Sequence, residues 1–98
     1  MEHRWYSRKQ SSLNALLYHQ GRCLCACHIE NVSPNGLFIN VPDIRIDSGA
    51  SVDVVVNALP YTTKPVWSKA IVVHNEQYGV GLMCVGANPL YTLIKDMW

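Results

Sequence analysis

The 98-residue sequence lacks long apolar runs and a strong excess of either charge. No apolar stretch reaches the roughly 20 residues needed to cross a membrane, and the charged start is not a signal peptide. The formal net charge of +1 provides no general basic surface for nucleic acid. We therefore expect a cytoplasmic protein without membrane insertion and without general nucleic-acid binding.

Patterns typical of active sites are also missing. The acids after residue 40 are scattered through predicted loops and surface positions, and Asp43 and Asp47 flank a predicted loop. The sequence has no paired-carboxylate pattern, no Gly-rich phosphate loop and no nucleophile elbow. We predict that the protein is not an enzyme and needs no cofactor.

The sequence does contain a succession of short apolar alternations separated by turn residues. Its 49% hydrophobic and 15% charged residues indicate one folded globular domain. The alternation predicts strands over residues 12–18, 22–31, 37–41, 51–59, 66–74 and 78–85. Six short strands at this spacing predict an all-β domain, a small antiparallel barrel or sandwich.

The periodicity changes near the end of the chain. Asn88 is suited to be a helix N-cap, and Pro89 is suited to the first helical position. An apolar stripe with helical spacing follows, made of Leu90, Leu93, Ile94 and Met97. We predict a short helix over residues 88–98 that packs against the strands.

The cysteines raise the alternative of a metal or redox site. Cys23, Cys25 and Cys27 alternate along one predicted strand beside His28, and Cys84 lies far away. Residues two apart on a strand are separated by about 6.5 Å, whereas zinc ligands lie about 2.3 Å from the ion. No CxxC pair is present. We interpret these cysteines as core thiols, with metal binding, redox activity and disulfides as the alternatives.

The apolar pattern that predicts the strands and the helix does not account for two polar segments of the sequence. Arg4 and Arg8 form an RxxxR string, and positions four apart project to the same side in a helix or a strand. Asn31, Ser33 and Gly36 belong to the string Asn-Val-Ser-Pro-Asn-Gly, which favours a turn. Taken singly, the first string is also compatible with a solvated tail and the second with an ordinary β-hairpin.

Together and in this order, the two strings resemble the RxxxR and (D/N)xSxxG motifs of the PilZ domain, a bacterial β-barrel that binds cyclic di-GMP. The segment 78–84 is similar to the closing strands of that family, with Cys84 where Phe is common. The resemblance implies a single domain over 1–98. Its parts are an N-terminal arginine arm (1–10), a six-stranded antiparallel barrel of the split-barrel type (11–85) and a C-terminal α-helix (88–98).

The resemblance also implies a function. The protein would be a bacterial cyclic di-GMP receptor or adaptor that signals to an unidentified protein partner. The implied ligand residues are Arg4, Arg8, Asn31, Ser33 and Gly36, with His3 and His74 as further candidates. We expect the ligand to order the arm and thereby to alter partner binding. A PilZ-fold interaction module that does not bind nucleotide is the alternative.

Overall fold

The computed structural model describes residues 9–41, 45–57 and 64–94. Within these ranges the elements are β1 (Lys9–His19), β2 (Arg22–Ser33), β3 (Gly36–Asn40), β4 (Ser51–Val56), β5 (Val66–Glu76), β6 (Gly79–Cys84) and α1 (Pro89–Ile94). The strands pair antiparallel in the order β1-β2-β3-β6-β5-β4, and the pairing of β1 with β4 closes the barrel. The prediction of a small six-stranded antiparallel barrel with a short C-terminal helix is confirmed.

The barrel interior is filled by apolar side chains that alternate along the strands. Leu17, Ile29, Ile39 and Val54 come from four different strands and are each 0% exposed. Burying a side chain of this kind stabilises a fold by roughly 1.5–3 kcal/mol. Leu90 of α1 is also fully buried, and α1 packs against β5 and β2. The core therefore holds both the barrel and the helix.

Some element boundaries differ from the predicted ones. β1 begins at Lys9, so it includes the last two residues of the arm expected over 1–10. β2 continues to Ser33, because its end pairs with β3 across the following turn. The last hairpin turns at residues 77–78, since β5 continues to Glu76. At the motif turn, β2 extends to Ser33 and β3 begins at Gly36, so the strands on both sides reach closer to the turn than predicted.

The C-terminal helix begins as the sequence predicts. The side-chain oxygen of Asn88 accepts a hydrogen bond from the Leu90 amide at 3.1 Å, so Asn88 is the N-cap. The apolar stripe is only partly buried, because Leu90 is 0% exposed whereas Leu93 is 38% exposed. Met97 lies outside the described residues. In the described part of the chain, no helix is long and apolar enough to cross a membrane.

The cysteines are only partly the core thiols that we predicted. Cys27 and Cys84 are buried, Cys25 packs partly against the core, and Cys23 is exposed. Cys23 differs because Leu24 is an extra residue in β2: two consecutive residues of β1 pair with Cys25 and Cys23. This bulge moves Cys23 from the inner to the outer face. The described residues contain no group of three or more His, Cys, Asp or Glu side chains that could hold a metal ion.

Candidate ligand-binding site

An open groove of about 240 Å³ lies on the outer face of the barrel, across β2, β3, β6 and β5. It is lined by four of the residues that the sequence nominates for ligand contact, namely Asn31, Ser33, Gly36 and His74. The other three nominated residues, His3, Arg4 and Arg8, lie outside the described residues. The described part of the predicted site is therefore brought together in one place.

Asn31 and Ser33 reach the outer face because β2 has an extra residue at Glu30. In a regular strand, residues two apart share a face, so Asn31 would follow the buried Ile29 inward. Instead, the register between β2 and β3 shifts between Ile29 and Asn31. Val32 then becomes the fully buried residue. The bulge thus turns both motif side chains toward the groove.

A second bulge has the same effect on His74. Val72 faces the core, is 1% exposed and pairs with Leu82. The register shifts after Val72, so that His74 pairs with Gly81. The extra residue Val73 places the His74 side chain outside, where it is 55% exposed. Both strands that supply the nominated side chains therefore depend on an inserted residue.

Two glycines of β6 make room for two rings in the middle of the groove. A Cβ on Gly81 would collide with the ring of His74, and a Cβ on Gly79 would lie 2.6 Å from a ring carbon of Phe38. The ring centroids of Phe38 and His74 are 6.4 Å apart with an interplanar angle of 35°. This separation is typical of interacting aromatic rings. Sequence reasoning missed Phe38, although the Gly-x-Gly pattern within a strand indicates close approach of other groups.

The turn formed by residues 33–36 is hydrogen-bonded at each of its four carbonyl oxygens. The Asn88 side-chain amide donates to the carbonyls of Ser33 and Gly36 at 3.0 and 3.2 Å. The backbone amides of Asn88 and Cys84 donate to the two intervening carbonyls at 3.2 and 2.9 Å. The end of β6 and the start of α1 therefore hold this turn. The sequence pointed to Asn88 only as a helix cap, and this second role was missed.

Gly36 is required by the packing of the turn itself. A Cβ at this position would lie 3.0 Å from the carbonyl oxygen of Leu82 and 3.3 Å from the Ser33 hydroxyl. The Ser33 hydroxyl also donates a long hydrogen bond, 3.4 Å, to the Gly36 carbonyl. A side chain at position 36 would therefore push β3 away from β6 and disturb the groove edge.

The described wall of the groove carries little charge. Glu76 is the one carboxylate among the described lining residues, and it lies 4.0 Å from the His74 ring nitrogen. None of the described lining residues is Lys or Arg. Lys9 pairs with Val32, between the two motif side chains of β2, so the sequence containing Arg8 joins the barrel at this edge.

The relation to known proteins is consistent with this geometry. The sequence profile of the PilZ domain matches residues 2–93. The chain belongs to the PilZ family. A search of curated proteins gives no match for it.

Among solved structures, the PilZ chain is similar to the inhibitor of motility MotI/DgrA of Bacillus subtilis. The TM-score is 0.69 and the sequence identity 16%, and the match covers 99% of this chain and 52% of that one. The PilZ chain thus spans about half the length of that protein. At this identity the likeness concerns the barrel fold.

Proposed function

We propose that this PilZ protein is a cyclic di-GMP receptor and that the ligand binds in the outer groove. The observation that carries the proposal is the position of Asn31, Ser33 and Gly36 along one groove of a PilZ barrel. The sequence containing the two motif arginines joins β1 at the same edge, where Lys9 pairs with Val32.

Arg4 and Arg8 provide the charge and the base recognition that the described wall lacks. Cyclic di-GMP carries two phosphodiester charges and two guanines. Each guanine presents O6 and N7 side by side, and the arginine fork binds this pair with two parallel hydrogen bonds. Arginine also stacks on purine rings and pairs with phosphate. Affinity therefore depends mainly on these two side chains.

The groove residues orient the ligand. Asn31 and Ser33 offer hydrogen-bonding groups, and Gly36 leaves the ligand a close approach to the backbone. The rings of His74 and Phe38 provide a surface on which one guanine stacks, an arrangement worth about 1–3 kcal/mol per base in other nucleotide-binding proteins. His3, beside the first arginine, influences whether one or two ligand molecules bind.

Signalling follows from the contact between the ligand and the N-terminal sequence. The ligand bridges Arg4 and Arg8 to the groove and orders the arm. The ordered arm, the ligand and the groove edge together form a surface that a partner protein recognises. The protein acts as an adaptor in the cytoplasm, where it binds the ligand without changing it chemically.

Calorimetric titration with cyclic di-GMP tests the proposal. Wild-type protein should bind with a micromolar or tighter Kd, about −8 kcal/mol or better. Arg4→Ala and Arg8→Ala should each lose about 2–4 kcal/mol of binding free energy. Arg22→Ala is the matched control, because Arg22 is an exposed arginine at the β1–β2 turn, away from the groove. Unchanged affinity in both arm variants would refute the arginine assignment.

A second ligand separates base recognition from charge attraction. Cyclic di-AMP has the same two phosphates, but an amino donor replaces the guanine O6. It should bind at least tenfold more weakly, a difference of about 1.4 kcal/mol or more. Equal binding would mean that only the phosphates are recognised. Absence of binding to either ligand would favour the alternative of a PilZ-fold interaction module, for which an acidic Glu76 in the groove is no disadvantage.

A further inference from the structure

Asn88 does not line the groove, yet it holds both ends of the turn at the groove edge. Its side chain is almost fully buried, with 2% exposure. Its Nδ2 donates to the carbonyls of Ser33 and Gly36 at 3.0 and 3.2 Å. Its backbone amide donates to the carbonyl of Pro34 at 3.2 Å. One residue thus binds three of the four carbonyl oxygens of the turn.

The other side of the Asn88 amide fixes its orientation. Its Oδ1 accepts hydrogen bonds from the Leu90 amide at 3.1 Å and from the Ser68 hydroxyl at 3.4 Å. A backbone amide only donates and a carbonyl only accepts, so a reversed side chain would place like groups together. The two ends of the side chain therefore have separate tasks: Oδ1 caps α1, and Nδ2 holds the turn.

We propose that Asn88 is a positioning residue for the ligand site, and that its Nδ2 holds residues 33–36 in the conformation that binds cyclic di-GMP. This inference rests on the proposed function. Hydrogen bonds to Asn88 turn three carbonyl oxygens toward α1, and a carbonyl dipole facing the groove would repel a phosphate. The same bonds fix Ser33 relative to Gly36. Without the bonds from Nδ2, the turn relaxes and the part-buried carbonyls of Ser33 and Gly36 lose their side-chain donor.

The contact also makes α1 responsive to the ligand. If attachment of α1 to the turn strengthens ligand binding, then ligand binding strengthens the attachment of α1 by the same free energy, because coupling between two equilibria is reciprocal. The Thr92 amide donates to the Asn88 carbonyl at 3.3 Å, so it reports on the first turn of α1. Cyclic di-GMP should slow hydrogen exchange at Thr92 several-fold.

Two substitutions separate the two tasks of Asn88. Asn88→Asp keeps the oxygen that caps α1 but replaces the donor with an acceptor that faces two carbonyls. Asn88→Ser keeps a good helix cap and is too short to reach the turn carbonyls. Val54→Ala is the control for general loss of stability, because Val54 is fully buried in β4, a strand that pairs with β1 and β5 and supplies none of the described residues that line the groove.

Calorimetry should show cyclic di-GMP binding at least tenfold weaker in both Asn88 variants and less than twofold weaker in Val54→Ala. The Asn88→Asp defect should shrink as the pH falls from 8 to 5 relative to wild type, because a protonated carboxyl donates one hydrogen bond to the turn. The Asn88→Ser defect should not change with pH in this way. Asn88 variants that bind as tightly as Val54→Ala would overturn the proposal.

Hydrogen exchange separates failure of this inference from failure of the proposed function. The Cys84 amide donates to the Asn35 carbonyl within the turn, at 2.9 Å. Its exchange without ligand should be at least tenfold faster in Asn88→Ser than in Val54→Ala, and equal rates would mean that Asn88 does not hold the turn. Wild-type protein that fails to bind cyclic di-GMP would overturn the proposed function and the ligand part of this inference, whatever the exchange rates are.

Discussion

The imidazole of His74 occupies the space beside Gly81 where any Cβ would collide with the ring. The two residues are partners across β5 and β6, and the ring is more than half exposed. Its position therefore depends on the bare backbone of Gly81 and on the bulge at Val73 rather than on burial. Gly81 belongs to the site because it determines where the His74 ring lies.

Gly81→Ala should displace His74 and weaken ligand binding. The added methyl group forces the ring into another rotamer, which should lower the free energy of unfolding by about 1 kcal/mol. Cyclic di-GMP affinity should fall several-fold, because the stacking surface next to Phe38 is disturbed. Urea denaturation and calorimetry measure the two effects.

The same change in a His74→Ala background is the decisive comparison. Removing the ring removes the three atoms nearest to the position-81 Cβ, and the usual gain of Ala over Gly in a strand is roughly 0.5–1 kcal/mol. Gly81→Ala should then be neutral or stabilising, and its effect on affinity should disappear. Equal destabilisation in both backgrounds would show that Gly81 acts through another contact.

The sequence predicted the strands, the closing hairpin and the helix cap because these follow from local patterns. Alternation along β4 leaves Val52, Val54 and Val56 inside, as a regular strand requires. The side-chain directions in β2 and β5 were not predictable in this way. Glu30 and Val73 are ordinary residues for a strand, and nothing in their type marks them as insertions.

These insertions explain which features of the site could be predicted from the sequence and which could not. The motif named Asn31 and Ser33, but strict alternation from Ile29 would have placed Asn31 in the core. The bulge at Leu24 likewise reversed the expected burial of Cys23. Register in a barrel is set by pairing with neighbouring strands, so it depends on contacts distant in sequence. The hold of Asn88 on the turn at residues 33–36 is another contact of this kind.

Removing the negative charge of the groove should strengthen ligand binding. Glu76 lines the groove beside His74, and its carboxylate is partly exposed. Glu76→Gln should raise cyclic di-GMP affinity several-fold, by about 0.5–1 kcal/mol, because it removes the repulsion between the carboxylate and the two phosphates. The gain is modest because solvent screens the interaction of an exposed carboxylate. The gain should shrink as the salt concentration rises from about 50 to about 500 mM, because the Debye length falls from above 10 Å to roughly a few Å and the repulsion is screened.

Asp53→Asn is the control for this prediction. The substitution removes an equal charge from β4, and no residue of β4 is among the described residues that line the groove. Its effect on affinity should be small. Weaker binding in Glu76→Gln would show instead that the carboxylate accepts a hydrogen bond from the guanine.

Stability should fall at high pH through Cys27. Burial raises the pKa of this thiol from 9.0 to about 12, and the neighbouring thiols of Cys25 and Cys23 add to the shift. Between these values the unfolded chain loses a proton that the folded protein keeps. The free energy of unfolding therefore decreases as the pH rises past 9.0 toward about 12, at about 1.4 kcal/mol per pH unit.

Urea denaturation at pH 8 and pH 10 measures this contribution. Cys27→Ala should be less stable than wild type at pH 8, but its loss of stability between the two pH values should be about 1 kcal/mol smaller. Cys23→Ala is the control, because Cys23 is exposed and makes the smallest of the three contributions to the Cys27 shift, so the contribution of Cys27 should persist in this variant. A Cys27→Ala curve parallel to the wild-type curve would contradict this assignment.

The signalling mechanism makes a prediction for residues 3–8. This sequence contains both motif arginines and joins β1 next to the groove, so a ligand that bridges the two should restrict its backbone. Fixing a backbone residue costs roughly 1–2 kcal/mol, which means that arm ordering takes up part of the gross binding energy. Hydrogen exchange in residues 3–8 should slow at least tenfold when cyclic di-GMP is bound to the wild-type protein.

The control variant Arg22→Ala should show the same slowing as wild type. Under ligand saturation, Arg8→Ala should show a smaller change because one of the two bridges is missing. Equal exchange with and without ligand in the wild-type protein would exclude ordering of the arm as the signal, while leaving simple binding in the groove intact.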